Sequence, residues 1–110
     1  MDKAEFEESM TFNLENVLDY STNAIVVKNI MVGNHGVIQA FVFDYGKVQA
    51  YDQSPFSRFI YIIEGKAEIV INENSTFMQK GDSIIVPGHA ASSIEANHKF
   101  KMICMTLRGE

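Results

Sequence analysis

Few residues of this 110-residue chain could carry out chemistry: it has three histidines, one cysteine and two arginines. His35 and His98 each follow an asparagine, which is typical of turns, whereas His89 follows a glycine in a loop. The single cysteine, Cys104, stands between isoleucine and methionine, where burial would raise the pKa of its thiol and keep it unreactive. His89 is therefore the member of this group that we retain for acid–base chemistry or for contact with a ligand.

Nucleophilic catalysis by a serine has no support in the sequence. Ser54 and Ser92 lie among turn and strand residues, and neither is flanked by the glycines of a nucleophile elbow. We expect both side chains to be ordinary hydrogen-bonding hydroxyls.

The charge distribution argues against nucleic acid and membranes as partners. The net charge is −5, and −3 of it falls within the first eight residues, so the rest of the chain is nearly neutral. The closest basic pair, Lys99 and Lys101, does not make the basic stripe that binds a phosphate backbone. No apolar run approaches the roughly 20 residues of a membrane-spanning helix.

The first residues and the cysteine content predict a cytoplasmic protein. The N-terminal residues lack the basic and apolar stretches of a secretion signal. A single cysteine cannot form an internal disulfide, which suits a reducing compartment.

The length predicts one domain with a single hydrophobic core. Residues 1–11 are polar and acidic without an apolar period, and we expect them to form a loose arm outside a domain at 12–110. Apolar residues at helical spacing between Phe12 and Tyr20 predict one short helix, with Asn13 placed to cap it.

After Asn23 the sequence has the pattern of an all-β protein. Short β-branched and aromatic runs alternate with glycine, asparagine, aspartate and proline, which favours a sandwich or a barrel. The predicted strands are 25–32, 37–44, 48–52, 58–63, 66–71, 76–79, 83–86, 92–95 and 100–107. Glu64-Gly65 is predicted to be a tight hairpin between the fourth and fifth of these strands.

Several of these strands are apolar on both faces. Residues 41–43 and 59–63 are examples, and such runs indicate strands that are covered inside the barrel and outside it. Because large exposed apolar patches are rare on monomers, we expect a second copy to supply the outer cover, and hence a homodimer.

Two stretches resemble the cupin superfamily. They are FIYIIEGKAE at residues 59–68, an aromatic-rich strand with a Glu-Gly pair, and KGDSIIVP at residues 80–87, a Gly-Asp turn before a strand that ends in proline. The similarity extends over roughly residues 37–107. It implies a double-stranded β-helix, the jelly-roll barrel, with its site at one mouth.

The resemblance also implies where a ligand site would lie. Cupins carry two histidines and a glutamate in the first motif and a histidine in the second, and these four residues hold a metal ion. The corresponding positions in this chain are Asp52, Ser54 and Arg58 in the first motif and Ser92 in the second, with His89 in place of the middle glycine of the second motif.

These replacements predict a site without metal and without another cofactor. A guanidinium stays protonated and offers no acceptor, so Arg58 would repel a cation. At an effective dielectric constant of ~20, its charge about 4 Å from a divalent ion costs on the order of 8 kcal/mol. A site rebuilt from His89 and Asp52 would have two ligands only and would bind metal weakly.

The sequence allows three placements of the Arg58 side chain. The side chain could pair with Asp52 inside the barrel, clamp the carboxylate or phosphate of a small ligand, or turn outward if the strand is shifted. The first two can coexist, because a guanidinium has donors to spare.

Three functions follow from these alternatives. The first is a metal-free pocket at the barrel mouth that binds a small polar or anionic ligand through Asp52, Ser54, Arg58, His89 and Ser92. The second is a cupin-type enzyme, acting through a rebuilt metal site or through metal-free acid–base chemistry. The third is a structural dimer whose barrel is filled. No catalytic residue or reaction is predicted.

Overall fold

The chain folds into eight β-strands and one short helix within residues 4–51 and 54–108, the part described by the structure, which is a computed structural model. The elements are α1 (Leu14–Val17), β1 (Ile25–Gly33), β2 (Gly36–Phe43), β3 (Val48–Tyr51), β4 (Ser57–Ile71), β5 (Asn74–Gln79), β6 (Ser83–Val86), β7 (Ser92–Glu95) and β8 (Phe100–Leu107). Every strand pairing given for these residues is antiparallel. The predicted all-β class is confirmed.

The helix is shorter than the predicted one. The side chain of Asn13 accepts a hydrogen bond from the backbone N of Asn16 at 3.2 Å, as expected of a cap. Leu18 already has extended backbone angles, so the helix ends after one turn. Among the described residues, no helix is long and apolar enough to cross a membrane.

Two sheets share the long strand β4. Its first half pairs with β6 and with β8, in the sheet that also contains β2 and β1. Its second half pairs with β5 and with β7, and β7 pairs with β3. The two sheets roll into the predicted double-stranded β-helix.

The predicted hairpin at Glu64-Gly65 is wrong, because β4 runs through this position without reversing. The chain bends instead, through a bulge between Ile62 and Glu64 opposite β8, followed by Gly65 at φ +83°. A Cβ atom at Gly65 would collide with the backbone of Lys99 and Phe100, so glycine is required for β8 to pass this closely. Two predicted strands are therefore halves of one, and nine become eight.

The barrel interior is filled by alternate residues of the two sheets. The rings of Phe43 and Phe100 stack with centroids 4.5 Å apart, and both side chains are fully buried. On β8 the inward row continues through Met102 and Cys104, which pack in the same cluster. Other fully buried members of this core are Ile60, Ile62, Ile69, Val86 and Ile94.

Residues 13–20, which we call the strap, cover part of the outer face of the first sheet. Leu18 is buried there, with Leu14 and Tyr20 packed beside it. The sheet residues under the strap are Ala40, Val42, Ile63, Val26, Ile30 and Ile103. Part of the outer cover is thus supplied by the chain itself.

Described residues that precede the strap also contact the barrel. The backbone N of Glu5 donates to the carbonyl of Asn29 at 2.8 Å, and its carboxylate accepts from the backbone N of Asn29 at 3.0 Å. The rings of Phe6 and Phe12 lie 4.4 Å apart. This stretch of the predicted arm therefore lies along β1, at the irregularity between Asn29 and Met31.

Candidate binding site at the barrel mouth

One end of the barrel, which we call the mouth, is where the chain segment before β4 meets the loop between β6 and β7. The backbone N of His89 donates to the carbonyl of Ser54 at 2.6 Å. The backbone N of Gly88 donates to Ser57 Oγ at 3.2 Å. A Cβ at Gly88 would lie 2.5 Å from the carbonyl oxygen of Pro55, so glycine permits this contact. Two predicted site residues, Ser54 and His89, are therefore joined through their backbones.

The side chains of Ser54 and His89 make fewer contacts across the mouth than their backbones do. Ser54 Oγ accepts a hydrogen bond from the backbone N of Phe56 at 3.2 Å, which is a local turn contact. His89 is exposed and has a positive φ of +67°. Both residues form the rim of the mouth.

Arg58 lies on the inner side of β4. In the sheet register it stands between Val86 and Thr106, both of which are buried. Its guanidinium carbon lies 4.0 Å from the centre of the Tyr51 ring, within the range of a cation–π contact. Within residues 4–51 and 54–108 no carboxylate forms an ion pair with Arg58. Asp52, its predicted partner, lies outside the described residues.

Two buried hydroxyls lie on the strands beside Arg58. Tyr51 ends β3 and is paired in register with Ser92, the first residue of β7, which is 9% exposed. Neither Tyr51 Oη nor Ser92 Oγ has a hydrogen-bond partner among the described residues. A buried polar group that lacks a hydrogen-bond partner lowers folding stability by about 1–3 kcal/mol, so a ligand that pairs with these hydroxyls would recover this energy.

The surroundings keep the Tyr51 hydroxyl and the Cys104 thiol protonated. Burial raises the pKa of Tyr51, nearby Cys104 raises it further, and Arg58 opposes this rise. Burial also raises the pKa of Cys104, whose Sγ lies 4.0 Å from Thr106 Oγ1. Among the residues that the structure describes, those near Arg58 in the interior are therefore neutral groups around one fixed positive charge.

The residues at the mouth do not fit the divalent metal that the cupin motifs imply. Arg58 has no acceptor, and Ser54 and Ser92 are neutral hydroxyls, which bind metal weakly. Within the described stretches of chain, no three histidine, cysteine, aspartate or glutamate side chains cluster as metal ligands.

From the sequence, Tyr51 could wall a pocket or pack in the core, and the structure places its ring against Arg58. In β3 the apolar Val48 points outward and is 54% exposed, whereas the inward positions hold Gln49 and Tyr51. In β3 the aliphatic residues therefore face outward and the polar or aromatic residues face inward, the reverse of the usual pattern. On β8, Thr106 lies in the inner row, because it alternates with the buried Cys104 and Met102.

A two-sheet antiparallel roll with polar residues gathered at one mouth defines the cupin class of barrel. The family model described as the cupin domain matches residues 41–106, which is more than half of the chain. The protein therefore belongs to the cupin family.

Solved structures support the same fold. A conserved protein of unknown function from Streptococcus pyogenes superposes with a TM-score of 0.90 at 20% identity, covering 100% of this chain and 97% of that one. A cupin superfamily protein from Desulfitobacterium hafniense gives 0.86 at 19% identity, with 94% of each chain covered. An RmlC-like cupin from Shewanella frigidimarina gives 0.76 at 16% identity, again covering 94% of each. The search of curated proteins found no match.

Proposed function

We propose that this cupin-domain protein binds a small anionic ligand at the barrel mouth through Arg58 and without a metal. The supporting observation is the inward guanidinium of Arg58, stacked on Tyr51 and not ion-paired within the described residues. A charge that is partly removed from water needs a counter-charge, and a ligand that brings one would be held strongly.

The neighbouring groups define the chemistry of that ligand. Arg58 offers several N–H donors in a planar fork. The hydroxyls of Tyr51 and Ser92 have no hydrogen-bond partner among residues 4–51 and 54–108, so they can donate to a ligand as well. A site made of donors selects a ligand rich in acceptors. A carboxylate or a phosphate monoester meets this requirement, because its oxygens can accept two parallel bonds from the guanidinium.

The test is a thermal-shift screen with small carboxylates and phosphate monoesters, followed by titration of any compound that binds. At one hundred times its Kd a ligand stabilises the folded state by about 2.7 kcal/mol, which raises Tm by roughly 10 °C for a domain of this size. Arg58→Ala should abolish this shift, and Arg58→Lys should weaken it, because lysine keeps the charge but loses the fork.

Arg108→Ala is the matched control, since it removes the same charge from an exposed position at the end of the chain. It should leave the shift unchanged. If no compound raises Tm, or if both arginine variants lose the shift equally, the proposed site does not exist.

The competing function is a filled barrel in which Asp52 satisfies Arg58. In that case Arg58→Ala and Asp52→Asn would both lower stability by about 3–5 kcal/mol, as for a broken buried ion pair. No ligand would then stabilise the wild type. A cytoplasmic homodimer is the state in which we propose that the protein works.

A further inference from the structure

A cavity of about 400 Å³ opens on the part of β4 that follows the bend at Gly65. This volume is within the range of small-molecule sites. The cavity is lined by β4 and β5, by the turn between β5 and β6 at Asp82, and by the turn between β7 and β8 at Asn97 and His98. It shares no lining residue with the mouth, and Arg58 precedes the bend. We call it the turn cavity.

Two opposite charges line the turn cavity without pairing with each other. Lys66 is an exposed residue of β4, and Asp82 is an exposed residue of the turn that follows β5. Within residues 4–51 and 54–108, neither side chain takes part in an ion pair. Both charges are therefore available to a ligand that carries one charge of each sign.

Hydrogen bonds hold the polar groups of the two turns in place. Asp82 Oδ2 accepts from the backbone N of Gln79 at 3.0 Å, and the backbone N of Asp82 donates to the Gln79 carbonyl at 2.9 Å. The side-chain N of Asn97 donates to Glu68 Oε1 at 2.9 Å. These bonds do not use Asp82 Oδ1 or the amide oxygen of Asn97, so both oxygens can accept a hydrogen bond from a ligand. Because the two groups are already ordered, binding requires little further loss of side-chain freedom.

The turn cavity also has an apolar lining. Ala67 and Met78 line it, are paired in register between β4 and β5, and belong to the buried core. Phe77, next to Met78, lines it as well but is 72% exposed. A large apolar group of a ligand would cover this ring and remove apolar surface from water on both sides. The cavity therefore combines a cation, an anion and an apolar wall.

We propose that the turn cavity binds a free α-amino acid with a large apolar side chain. The carboxylate of the ligand accepts from Lys66 Nζ and from the imidazole of His98, which also lines the cavity. The ammonium group donates to Asp82 Oδ1 and to the amide oxygen of Asn97. The side chain of the ligand packs on Phe77. A simple carboxylic acid or a simple amine would meet only one of the two charges.

Titration of the wild-type protein with L-phenylalanine and its analogues is the first test, and it requires no variant to fold. NMR spectra of isotope-labelled protein should show saturable shifts of the backbone amides of Lys66, Phe77, Asp82 and His98. Phenylpropionate lacks the ammonium group, phenethylamine lacks the carboxylate, and glycine lacks the side chain. Each analogue should bind at least about fivefold more weakly than phenylalanine, because each loses one of the three contacts.

Single substitutions test the two charges of the turn cavity. Lys66→Gln and Asp82→Asn should each raise the Kd for phenylalanine at least about fivefold. Asparagine keeps an oxygen that can accept from the backbone N of Gln79, so the turn should retain its structure. Lys99→Gln is the matched control, because Lys99 is exposed and follows His98 but does not line the cavity. It should leave the Kd within about twofold of the wild-type value, since solvent and salt screen a charge outside the cavity.

The proposal is overturned if phenylalanine gives no saturable shifts at millimolar concentration, or if phenylpropionate or phenethylamine binds as tightly as phenylalanine. It is also overturned if Lys99→Gln weakens binding as much as Lys66→Gln, or if the shifts are confined to the mouth around Gly88 and Ser92. Arg58→Ala should leave binding in the turn cavity unchanged. The ligand screen at the mouth and this titration therefore fail separately.

Discussion

The attachment of the strap to the barrel should depend on one buried lysine. Lys101 lies on the outer face of β8 and is 5% exposed, and its Nζ donates to the carbonyl of Glu15 at 2.6 Å. Nζ also lies 3.7 Å from Glu64 Oε1. The other oxygen of Glu64 accepts a hydrogen bond from the Tyr20 hydroxyl at 2.7 Å. Lys101 thus connects both ends of the strap to the sheet.

Replacing Lys101 with methionine keeps the buried stem and removes the charge. The hydrogen bond to the Glu15 carbonyl, which a charged donor makes stronger, is worth about 1.5–3 kcal/mol. The pair with the part-exposed Glu64 adds less than about 1 kcal/mol because solvent screens it. The desolvation of the ammonium group, which methionine avoids, offsets part of this loss. We expect a net loss of about 2 kcal/mol, or a fall in Tm of roughly 10 °C.

Urea denaturation followed by circular dichroism measures this difference, and hydrogen exchange locates it. Exchange in residues 14–20 should accelerate in Lys101→Met more than exchange in β4 or β8. Lys99→Met is the control, because Lys99 also lies near the Tyr20 ring, at 4.8 Å, but is exposed. It should change stability by less than about 0.5 kcal/mol. A Lys101→Met variant as stable as the wild type would refute the reasoning and assign the attachment to apolar packing alone.

Two further predictions concern single positions in the barrel. Gly65→Ala should lower the free energy of unfolding by at least about 3 kcal/mol, because alanine is strained at this positive φ and its Cβ also collides with the backbone of β8. Gly46→Ala should lower it by about 1 kcal/mol, because alanine is strained at a φ of +85° but its Cβ meets no neighbouring atom. Thermal unfolding of the two variants makes this comparison, and equal losses would contradict it. Cys104→Ala should reduce the loss of stability at alkaline pH. Burial raises the pKa of the Cys104 thiol in the folded chain. The contribution of the protonated thiol to folding stability is therefore complete below the unfolded pKa of about 8.5, and it is lost as the pH rises through the folded pKa. Urea midpoints measured between about pH 8 and 10 should fall more steeply for the wild type than for Cys104→Ala, and parallel curves would refute the assignment.

Local patterns in the sequence predicted the class of fold because its elements are marked locally. Asn13 stands where a cap is needed, and the Gly81-Asp82 turn and Pro87 frame β6. Each of these signals depends on residues within a few positions of one another. Together with the cupin-like motifs they predicted the double-stranded β-helix.

The features that the sequence did not decide correctly, or did not decide at all, depend on contacts distant in sequence. A glycine with positive φ serves both a hairpin and a bulged bend. At Gly65 the difference is made by the pairing of β4, which joins β8 up to Gly65 and joins β5 and β7 beyond it. The pairing of β3 with β7 turns Tyr51 inward. The apolar pattern of β3 alone would predict the opposite, because Val48 and Ala50 lie on the outer side. Neither outcome can be read from a local window.

The mouth and the outer face of the first sheet are carried by the same strands. On β4 the inward Arg58 is followed by the outward Phe59, and on β8 the outward Met105 is followed by the inward Thr106. Because successive side chains of a strand point to opposite faces, one stretch of backbone positions both the proposed ligand contact and the apolar outer face. A backbone change here would disturb both, so only side-chain substitutions can separate them. Arg58→Ala acts on the inner face and Ile85→Asp on the exposed outer face, so a loss of ligand binding in Arg58→Ala alone assigns the binding to the inner face.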